Sequence, residues 1–339
     1  MVKGSIMLKD DVLKLILREN DYISGEAISR ILGVSRAAVN TAVKSLRDDG
    51  YGITSSTNKG YLMISCPDLL SKGSVTAYLP DSRAEDVYVF DTVSSTNTVL
   101  KELSAKGAAS GTVVISDQQT GGKGRRGRSF ASPSGVGVYL SYLIRPEAGF
   151  EKISDLTSWT AVATCDAIKN AYGIETQIKW VNDLVLNRKK ICGILTEASV
   201  EGESGLIDTC IIGIGINVNE ARSDFPEEIS DVATSISIEQ DGKQFSRARL
   251  AAELIKTMDI LRSEWPGGSS YYIQRYREQN ITVGSRITAF SRLMENSEGR
   301  EGKAIAINDD FSLKAEFNDG SIEDLRSGEV SVRGLYGYT

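Results

Sequence analysis

The 339-residue sequence contains no histidine. This absence argues against a Ser-His-Asp triad, a histidine general base and a histidine-ligated metal site. Its four cysteines are scattered without a CxxC pair, which argues against a transition-metal enzyme. No apolar run approaches the roughly 20 residues of a membrane span. Chemistry in this chain must therefore use Lys, Arg, Asp, Glu, Asn and backbone amides, which suit binding and electrostatic catalysis on phosphates.

The length predicts two or three domains, because one hydrophobic core rarely extends over 339 residues. Hydrophobic residues make up 41% of the chain and charged residues 25%, as in soluble globular proteins. Residues 1–20 are amphipathic and partly acidic, which is not the pattern of a signal peptide. We therefore expect a cytoplasmic protein with reduced, mostly buried thiols and no membrane association.

Residues 1–65 are predicted to form a winged helix-turn-helix domain. A first amphipathic helix covers 8–19, and Ser24 and Ser35 are placed to cap two further helices. Gly33 ends the first of these two, which leaves a tight turn between them. Two short β-type runs then flank a polar turn at 58–60, and they predict the wing.

The charge of this N-terminal domain favours operator DNA as its partner. Residues 1–65 carry nine Lys or Arg and seven Asp or Glu, a net charge of +2, whereas the remainder carries 30 and 38, a net charge of −8. In a helix-turn-helix motif the N-terminal end of the second helix, here the one that follows Ser35, enters a major groove. A domain that only pairs subunits is the alternative. The predicted DNA contacts are Ser35, Arg36, Ala37, Asn40, Lys44 and Lys59.

Residues 66–84 show no sustained periodicity and are predicted to be a linker. A strand at 87–90 then leads into a helix whose start carries Ser95, Thr96 and Asn97. Capping a helix needs only one such side chain. We therefore expect the others to face a polar ligand.

The stretch QQTGGKGRRGRSF at 118–130 holds four glycines and four cations but no acid. Strand-like runs on both sides place it in a long loop, and such loops are uncommon unless they function or are disordered. Glycines let backbone N–H groups approach an anion, and the cations neutralise it. The spacing is neither a P-loop nor a dinucleotide-binding turn, since Lys123 precedes a glycine and no helix follows at once. By itself, this glycine-rich loop fits nucleic acid, phosphate or disorder about equally.

A second polar group lies in IKWVNDLVLNRKKICGILTEAS at 178–199, where Lys179, Asn182, Asp183 and Lys190 alternate with residues of the buried type. A buried lysine needs an anionic partner. Asp183 is a candidate ligand for Mg²⁺, which needs only one or two carboxylates plus phosphates. A salt-bridged hairpin is the alternative. The apolar run at 206–220, which contains GIGIN, is typical of a buried core strand.

The C-terminal part begins with a polar, acidic stretch at 220–245 that is typical of a solvated loop. Helical patterns follow at 247–265 and 270–280. Short runs separated by glycines and Asn-Asp turns then predict a small antiparallel β-barrel at 281–339.

Together these motifs resemble those of biotin protein ligases of the repressor type, and the resemblance covers essentially the whole chain. It implies an α+β protein with a winged helix-turn-helix domain (1–65), a linker (66–84), a catalytic α/β domain with a mixed sheet of the class II aminoacyl-tRNA synthetase type (85–280) and an SH3-like barrel (281–339). A lipoate ligase shares the catalytic fold, but the loop and the winged helix argue against it. The motifs are LGVSRAAVNTAVKSLRDDGYGI, NKGYLM, SSTN, GGKGRRGRSFASPSG, KWVNDLVLNRKKICGILTE and GIGINVN.

The resemblance implies that biotin and ATP give biotinyl-5′-AMP, with Mg²⁺ as cofactor, and that the biotinyl group passes to a lysine of a biotin carboxyl carrier domain. The family often has arginine at the position of Lys123, and lysine lacks the planar fork for holding the adenylate. The positions matching catalytic residues are Lys179, Arg125 and Asp183, the last also assigned to Mg²⁺. Those matching the biotin site are Ser95, Thr96, Asn97, Gln119, Lys123, Gly124, Arg125 and Lys190. Those matching ATP or adenylate contacts are Lys123, Arg125, Phe130, Lys179, Asn182 and Asn217.

The resemblance also implies a homodimer, formed through the central sheet when biotinyl-AMP is bound, that represses biotin genes at palindromic DNA. Two alternatives stay open. One is a regulator that senses a metabolite without turning it over, and catalytic turnover distinguishes it. The other is a ligase whose N-terminal domain does not bind DNA, and a DNA-binding test distinguishes it.

Overall fold

The computed structural model describes residues 2–146, 153–200, 207–291, 299–326 and 330–334. Its helices are α1 (Val2–Arg18), α2 (Gly25–Leu32), α3 (Arg36–Asp48), α4 (Lys72–Thr76), α5 (Thr96–Ala105), α6 (Ile153–Tyr172), α7 (Arg247–Glu264) and α8 (Ser269–Gln279). Its strands are β1 (Gly52–Ser56), β2 (Gly60–Ser65), β3 (Val87–Val93), β4 (Val113–Gln119), β5 (Gly137–Ile144), β6 (Gln177–Lys179), β7 (Asp183–Leu186), β8 (Lys189–Val200), β9 (Ile207–Asn217), β10 (Arg286–Ser291), β11 (Arg300–Ile307), β12 (Leu313–Phe317), β13 (Ile322–Leu325) and β14 (Val330–Gly334).

The N-terminal domain confirms the predicted helix-turn-helix and wing. The Ser24 side chain caps α2 by accepting a hydrogen bond from the Ala27 N–H, and Gly33 ends that helix with φ of 64°. The Ser35 side chain caps α3 in the same way. Strands β1 and β2 pair antiparallel as the wing, and a backbone bridge between Ile23 and Tyr61 joins the wing to the helices.

Residues 66–84 carry the short helix α4, which Ser71 caps with a reciprocal pair of hydrogen bonds. Leu70, Val75 and Leu79 are buried in the same hydrophobic cluster as the central sheet. This segment thus packs as part of the central core, although its pattern predicts a linker.

One arginine fastens the N-terminal domain to that segment. The Arg18 guanidinium donates 3.1 Å hydrogen bonds to the carbonyl oxygens of Thr76 and Ala77, and a further one to that of Leu79. It also pairs with Asp81 at 2.8 Å. The end of α1 is therefore held against the backbone that follows α4.

The central domain is a seven-stranded mixed sheet in the order β3-β4-β5-β9-β8-β7-β6. Strands β3 and β4 are parallel, and each of the other neighbours is antiparallel. Helices α6 and α7 pack against each other and against the sheet, and Ile212, Ile214 and Ile216 of β9 belong to the large cluster that they help to form. Helix α5 packs through a smaller cluster that includes Leu100 and Ile211. Since successive strand residues face opposite sides, Gly213 and Gly215 lie on the same face as Ile211, toward α5.

The C-terminal region is a five-stranded antiparallel sheet in the order β13-β12-β11-β10-β14. It is attached to the turn between β6 and β7, where the Trp180 indole Nε1 donates a 2.9 Å hydrogen bond to the carbonyl oxygen of Phe311. The ring of Tyr276, on α8, meets the Phe311 ring edge-on at 5.4 Å. The architecture agrees with the predicted α+β fold, with its strand-rich C-terminal region.

Three of the four cysteines are buried and Cys66 is exposed, and all four are free, as predicted from their spacing. Among the described residues, no helix combines the length and apolarity needed to cross a bilayer.

A buried arginine joins three parts of the central domain. Only 1% of the Arg247 side chain is exposed, and it pairs with Asp68 at 2.8 Å and with Asp117 at 2.6 Å. The other oxygen of Asp117 accepts a 3.0 Å hydrogen bond from the backbone N–H of Gly135, in the loop before β5. Charges removed from water stay favourable only when they are fully paired, and this cluster fulfils that condition.

We predict that Arg247→Met will destabilise the protein by about 2–4 kcal/mol, because two partly buried carboxylates lose their shared cation. Chemical denaturation measures the change in the free energy of unfolding. The matched control is Lys169→Met, which removes an exposed ion pair with Glu175 and should change stability by less than about 1 kcal/mol. Equal effects of the two substitutions would contradict a structural role for the Arg247 cluster.

Candidate ligand pocket on the central sheet

A pocket of about 490 Å³, its open mouth included, lies where α5 and the glycine-rich loop meet β8 and β9. The strand register builds its floor. Gly215 of β9 lies opposite Tyr139 on one side and Gly193 on the other, and Gly213 lies opposite Ser141 and Leu195. The first row has glycine on two adjacent strands, so neither strand projects a side chain from the floor there.

Two of these glycines have no room for a larger side chain. A Cβ on Gly213 would lie 2.5 Å from Oδ1 of Asn97, and a Cβ on Gly215 would lie 2.6 Å from the Phe130 ring. Gly193 is also close to that ring, at 3.4 Å from its hypothetical Cβ. The Phe130 ring therefore sits on bare backbone, with Tyr139 edge-on at 6.4 Å.

The start of α5 is held by a buried polar network. The Gln119 Oε1 accepts a 2.9 Å hydrogen bond from the Thr96 backbone N–H and lies 3.1 Å from the Thr96 hydroxyl oxygen. Ser141 Oγ lies 2.7 Å from Thr96 Oγ1 and donates to Asn97 Oδ1 at 2.5 Å. The predicted ligand residues at 95–97 are thus fixed by β4 and β5 while they line the pocket.

The glycine-rich loop spans 120–136 between β4 and β5, as predicted. Its start is anchored by the Gly121 N–H, which donates 2.8 Å to the carbonyl oxygen of Ser94. Further on, Phe130 N–H donates 2.9 Å to the Gly122 carbonyl, and Gly124 N–H donates 2.7 Å to that of Arg128. These bonds fold the loop back on itself above the pocket.

Two cationic side chains of the pocket are paired with the hairpin residues predicted beside them. Arg125 donates a 2.7 Å hydrogen bond from NH1 to Oδ1 of Asn182. Lys190 Nζ lies 2.7 Å from Oδ1 of Asp183. The hairpin therefore contains an ion pair, as the alternative of a salt-bridged hairpin predicts. Lys190 also lines the pocket.

The pocket unites most of the residues predicted for biotin, ATP and catalysis. Lys179, Asp183 and Asn217 do not line it. Lys179 lies opposite Asp183 in the β6–β7 pair, and the Asn217 side chain donates 2.9 Å to the Thr234 carbonyl, which fixes the following loop. The predicted residues that line the pocket are Ser95, Thr96, Asn97, Gln119, Lys123, Gly124, Arg125, Phe130, Asn182 and Lys190.

The donor set for Mg²⁺ is small. No group of three or more His, Cys, Asp or Glu that could hold a metal ion occurs within the described ranges. Asp183 offers one carboxylate, of which Oδ1 is paired with Lys190. A single carboxylate suits Mg²⁺, because water and substrate phosphates supply most of the oxygen ligands of that ion.

Sequence reasoning missed the floor and the support of the pocket. The alternation of glycine with isoleucine in β9 is the signal that indicates one open face, but a buried core strand explains the isoleucines equally well. Ser141 and Glu197 contact Asn97 from β5 and β8, and their separation in sequence gives no local signal. The missed lining residues are Gly193, Ile194, Leu195, Gly213, Ile214 and Gly215.

The predicted DNA contacts form an exposed set on α3 and the wing. Lys59 lies on the wing with its Nζ 5.6 Å from the centre of the Tyr22 ring. Arg47 is engaged differently, since it donates to the Ile53 carbonyl at 2.9 Å and to Ser55 Oγ at 2.6 Å and so ties α3 to the wing. The exposed residues are Ser35, Arg36, Ala37, Asn40, Lys44 and Lys59.

Comparison with known proteins places this geometry in a family. Residues 89–217 match the model of the Biotin/lipoate A/B protein ligase family, and residues 9–62 match that of an HTH domain. The bifunctional ligase/repressor BirA of Bacillus subtilis is 34% identical over 328 residues, which cover 96% of this chain and 98% of that protein. The chain belongs to the bifunctional ligase/repressor family of biotin protein ligases.

Other members support the same assignment. The bifunctional ligase/repressor BirA of Escherichia coli is 29% identical over 96% of this chain and 99% of its own. The biotin protein ligase of Aquifex aeolicus, solved in complex with biotin and ATP, is 27% identical with a TM-score of 0.62, over 73% of this chain and 98% of that one. The family thus accounts for the HTH domain and the ligase domain in one polypeptide.

We predict that Gly213→Ala will weaken ligand binding in the pocket at least tenfold, since the added methyl group displaces the Asn97 amide. Isothermal titration with biotin measures this. Gly267→Ala is the matched control, because its Cβ meets no atom closer than 3.6 Å. If Gly213→Ala bound biotin as the control does, the floor would not determine the fit.

Proposed function

We propose that this protein joins biotin to ATP as biotinyl-5′-AMP, transfers the biotinyl group to a lysine of a biotin carboxyl carrier domain, and represses biotin genes through its N-terminal domain. The observation that carries this is the pocket itself. Side chains from the start of α5, the glycine-rich loop and the β7–β8 hairpin line one pocket, over glycines that let Asn97 and Phe130 lie directly on the strands. Relatives named as ligase and repressor, and one solved with biotin and ATP, support the assignment.

Adenylation needs no nucleophile from the protein. The biotin carboxylate attacks the α-phosphorus of ATP, a P–O bond to the carboxylate forms, and the bond to the pyrophosphate leaving group breaks. The protein has to hold two anions in line and offset their charge. Lys123, Arg125 and Lys190 bring three cations to the pocket, which agrees with a chain that has no histidine.

We assign the ATP phosphates to the side of the hairpin that carries Lys179, Asn182 and Asp183. Asp183, together with phosphate oxygens, would hold Mg²⁺, and the bound ion offsets charge on the phosphates. Asn182 already accepts a hydrogen bond from Arg125. Phosphate would compete with Asn182 for that guanidinium, which draws the glycine-rich loop toward the nucleotide. Asn217 holds the loop that follows β9, on the side that we assign to the adenylate.

The product of the first step is a mixed anhydride that water hydrolyses. The glycine-rich loop lies over the pocket, and Phe130 covers the glycine floor. We propose that the loop closes over the adenylate, with its glycines giving mobility, its cations holding the phosphate and Phe130 excluding water. In the second step a carrier lysine attacks the acyl carbon, an amide forms, and AMP leaves.

Repression follows from the exposed α3 residues and from dimerisation. Asn40 is suited to an adenine edge, and Arg36 to a guanine or a phosphate. Palindromic half-sites require two copies of the domain. A loop that biotinyl-AMP has already ordered loses less conformational entropy when a second subunit packs against it at an interface between the central sheets. The carrier domain and a second subunit would then compete for one surface.

Pyrophosphate release from ATP and Mg²⁺ tests the ligase activity. With biotin, we expect a burst of about one equivalent per chain followed by slow turnover, because the adenylate stays bound. Lipoate in place of biotin should give no burst. If biotin gave no release, a regulator that only senses a metabolite would replace the ligase as the explanation.

Arg125→Ala should turn that burst into continuous release, since the adenylate loses a cation and escapes to hydrolysis. We expect its release rate to rise about tenfold or more. Lys169→Ala, an exposed cation on α6, is the control. An adenylate retained by Arg125→Ala as long as by wild type would contradict the holding role of the loop.

Arg36→Ala should weaken operator binding by about 1–3 kcal/mol, because a groove contact is lost. Biotin-dependent pyrophosphate release should not change, since Arg36 lies in the N-terminal domain. A gel-shift titration with and without biotin plus ATP measures both the affinity and its dependence on the adenylate. If wild-type affinity did not change with biotin and ATP, the coupling of ligation to repression would be wrong.

A further inference from the structure

One carboxylate beside the pocket has no role in the chemistry above. Glu197 lies on β8, two residues beyond Leu195, and therefore on the pocket face of the sheet. Its Oε2 accepts a 2.7 Å hydrogen bond from Nδ2 of Asn97. Its Oε1 pairs with Lys101 Nζ at 2.6 Å. Asn97 and Lys101 are one turn apart on α5, so Glu197 joins the start of that helix to the sheet.

The charge of Glu197 is well defined. Burial opposes its ionisation, but hydrogen bonds from Lys101 and Asn97, with the charges of Lys101 and Lys123, lower the pKa of Glu197 below its usual value. An ionised carboxylate can only accept hydrogen bonds. The Asn97 amide is therefore held with its NH₂ group toward Glu197 and its oxygen away from it.

The orientation of Asn97 determines that of the next two groups. Its oxygen cannot donate, so Ser141 uses its single hydroxyl hydrogen on Asn97, at 2.5 Å. The hydrogen in the 2.7 Å contact between Ser141 and Thr96 must then come from Thr96, which has only one, so the longer 3.1 Å contact between the Thr96 hydroxyl and Gln119 Oε1 carries none. As a result, the hydroxyl hydrogens point toward Glu197, and Thr96 keeps its lone pairs for other donors.

We propose that Glu197, assisted by Lys101, is a positioning residue that sets the direction of this hydrogen-bond chain, so that the pocket offers acceptors to a ligand carrying N–H groups. The inference rests on the proposed function and narrows its substrate class. A cyclic urea, such as the head group of biotin, donates two N–H groups. A dithiolane ring, such as that of lipoate, donates none and gains nothing from this arrangement.

The surroundings of Asn97 make the direction consequential. Asn97 is 4% exposed, and Gly213 leaves only a hydrogen atom beneath its side-chain oxygen. A reversed amide would place an NH₂ group against Ser141 and an oxygen against the carboxylate, which is repulsive. Glu197 therefore selects one of two arrangements of similar shape.

The test is Glu197→Gln in the full chain, because glutamine has the same shape but can donate or accept. We expect KM for biotin in pyrophosphate release to rise about tenfold, while KM for ATP and kcat at saturating biotin change less than about twofold. Glu102→Gln, an exposed residue of α5, is the matched control. A biotin KM equal to that of the control would overturn the proposal.

A second measurement separates positioning from a general loss of structure. Biotin methylated on a ureido nitrogen lacks one N–H donor, so wild type should prefer biotin over it, and Glu197→Gln should reduce that preference about tenfold. Equal weakening of both ligands would mean that Glu197 only supports the fold. If Glu197→Gln does not fold by thermal melting, Ser141→Ala interrupts the same chain and should show the same lost preference, and a retained preference would overturn the proposal.

The two proposals fail in different ways. A wild-type protein that releases no pyrophosphate with biotin would reject the ligase function itself. A wild type that turns over biotin, with a Glu197→Gln variant of unchanged preference, would reject the positioning role alone.

Discussion

The glycines of β8 and β9, which carry no side chain, determine how closely α5 and the glycine-rich loop approach the central sheet. At Gly213 a single hydrogen atom separates the strand from the Asn97 amide, and at Gly215 the same is true of the Phe130 ring. Protein interiors are packed too densely for a methyl group to enter without displacing its neighbours. The depth of the pocket, the position of α5 and the seat of Phe130 therefore depend on one property of the backbone.

Two polar assemblies hold this arrangement from opposite ends of the glycine-rich loop. At its start, Gln119 and Ser141 fix Thr96 and Asn97. At its end, Asp117 binds the loop backbone and Arg247. Fully satisfied buried networks favour a single arrangement of their members. The segment between the two, which carries most of the cations, has fewer such restraints and is the part that a ligand is free to reorganise.

Local signals in the sequence are sufficient for the N-terminal domain. The caps at Ser24 and Ser35 and the left-handed glycine at Gly33 act within a few residues, so the pattern predicts α2 and α3 correctly. The first helix, predicted from residue 8, begins already at Val2. At 66–84 the pattern indicates a linker and gives no sign of α4, because a five-residue helix is too short to show a period. Its burial depends on packing against α1 and against the distant helix α7.

In the candidate site, too, some features follow from local sequence signals and others from long-range packing. Motif positions such as Gln119 and Lys190 are predicted from the sequence and line one pocket. The partners of those positions depend on strand register. Glu197 meets Asn97 because β8 pairs with β9 so that Glu197 lies opposite Ile211 and Leu195 opposite Gly213. No pattern within either segment contains that information.

The anchoring of Arg18 has a further consequence for DNA. Its guanidinium donates to backbone carbonyls at the end of α4 and just after it, so α1 is not tethered by a flexible chain. In the proposed dimer, the central domains would then set the distance between the two α3 helices. The two helices would then have a fixed spacing. Operators whose half-sites are moved apart by a few base pairs would therefore bind one subunit only.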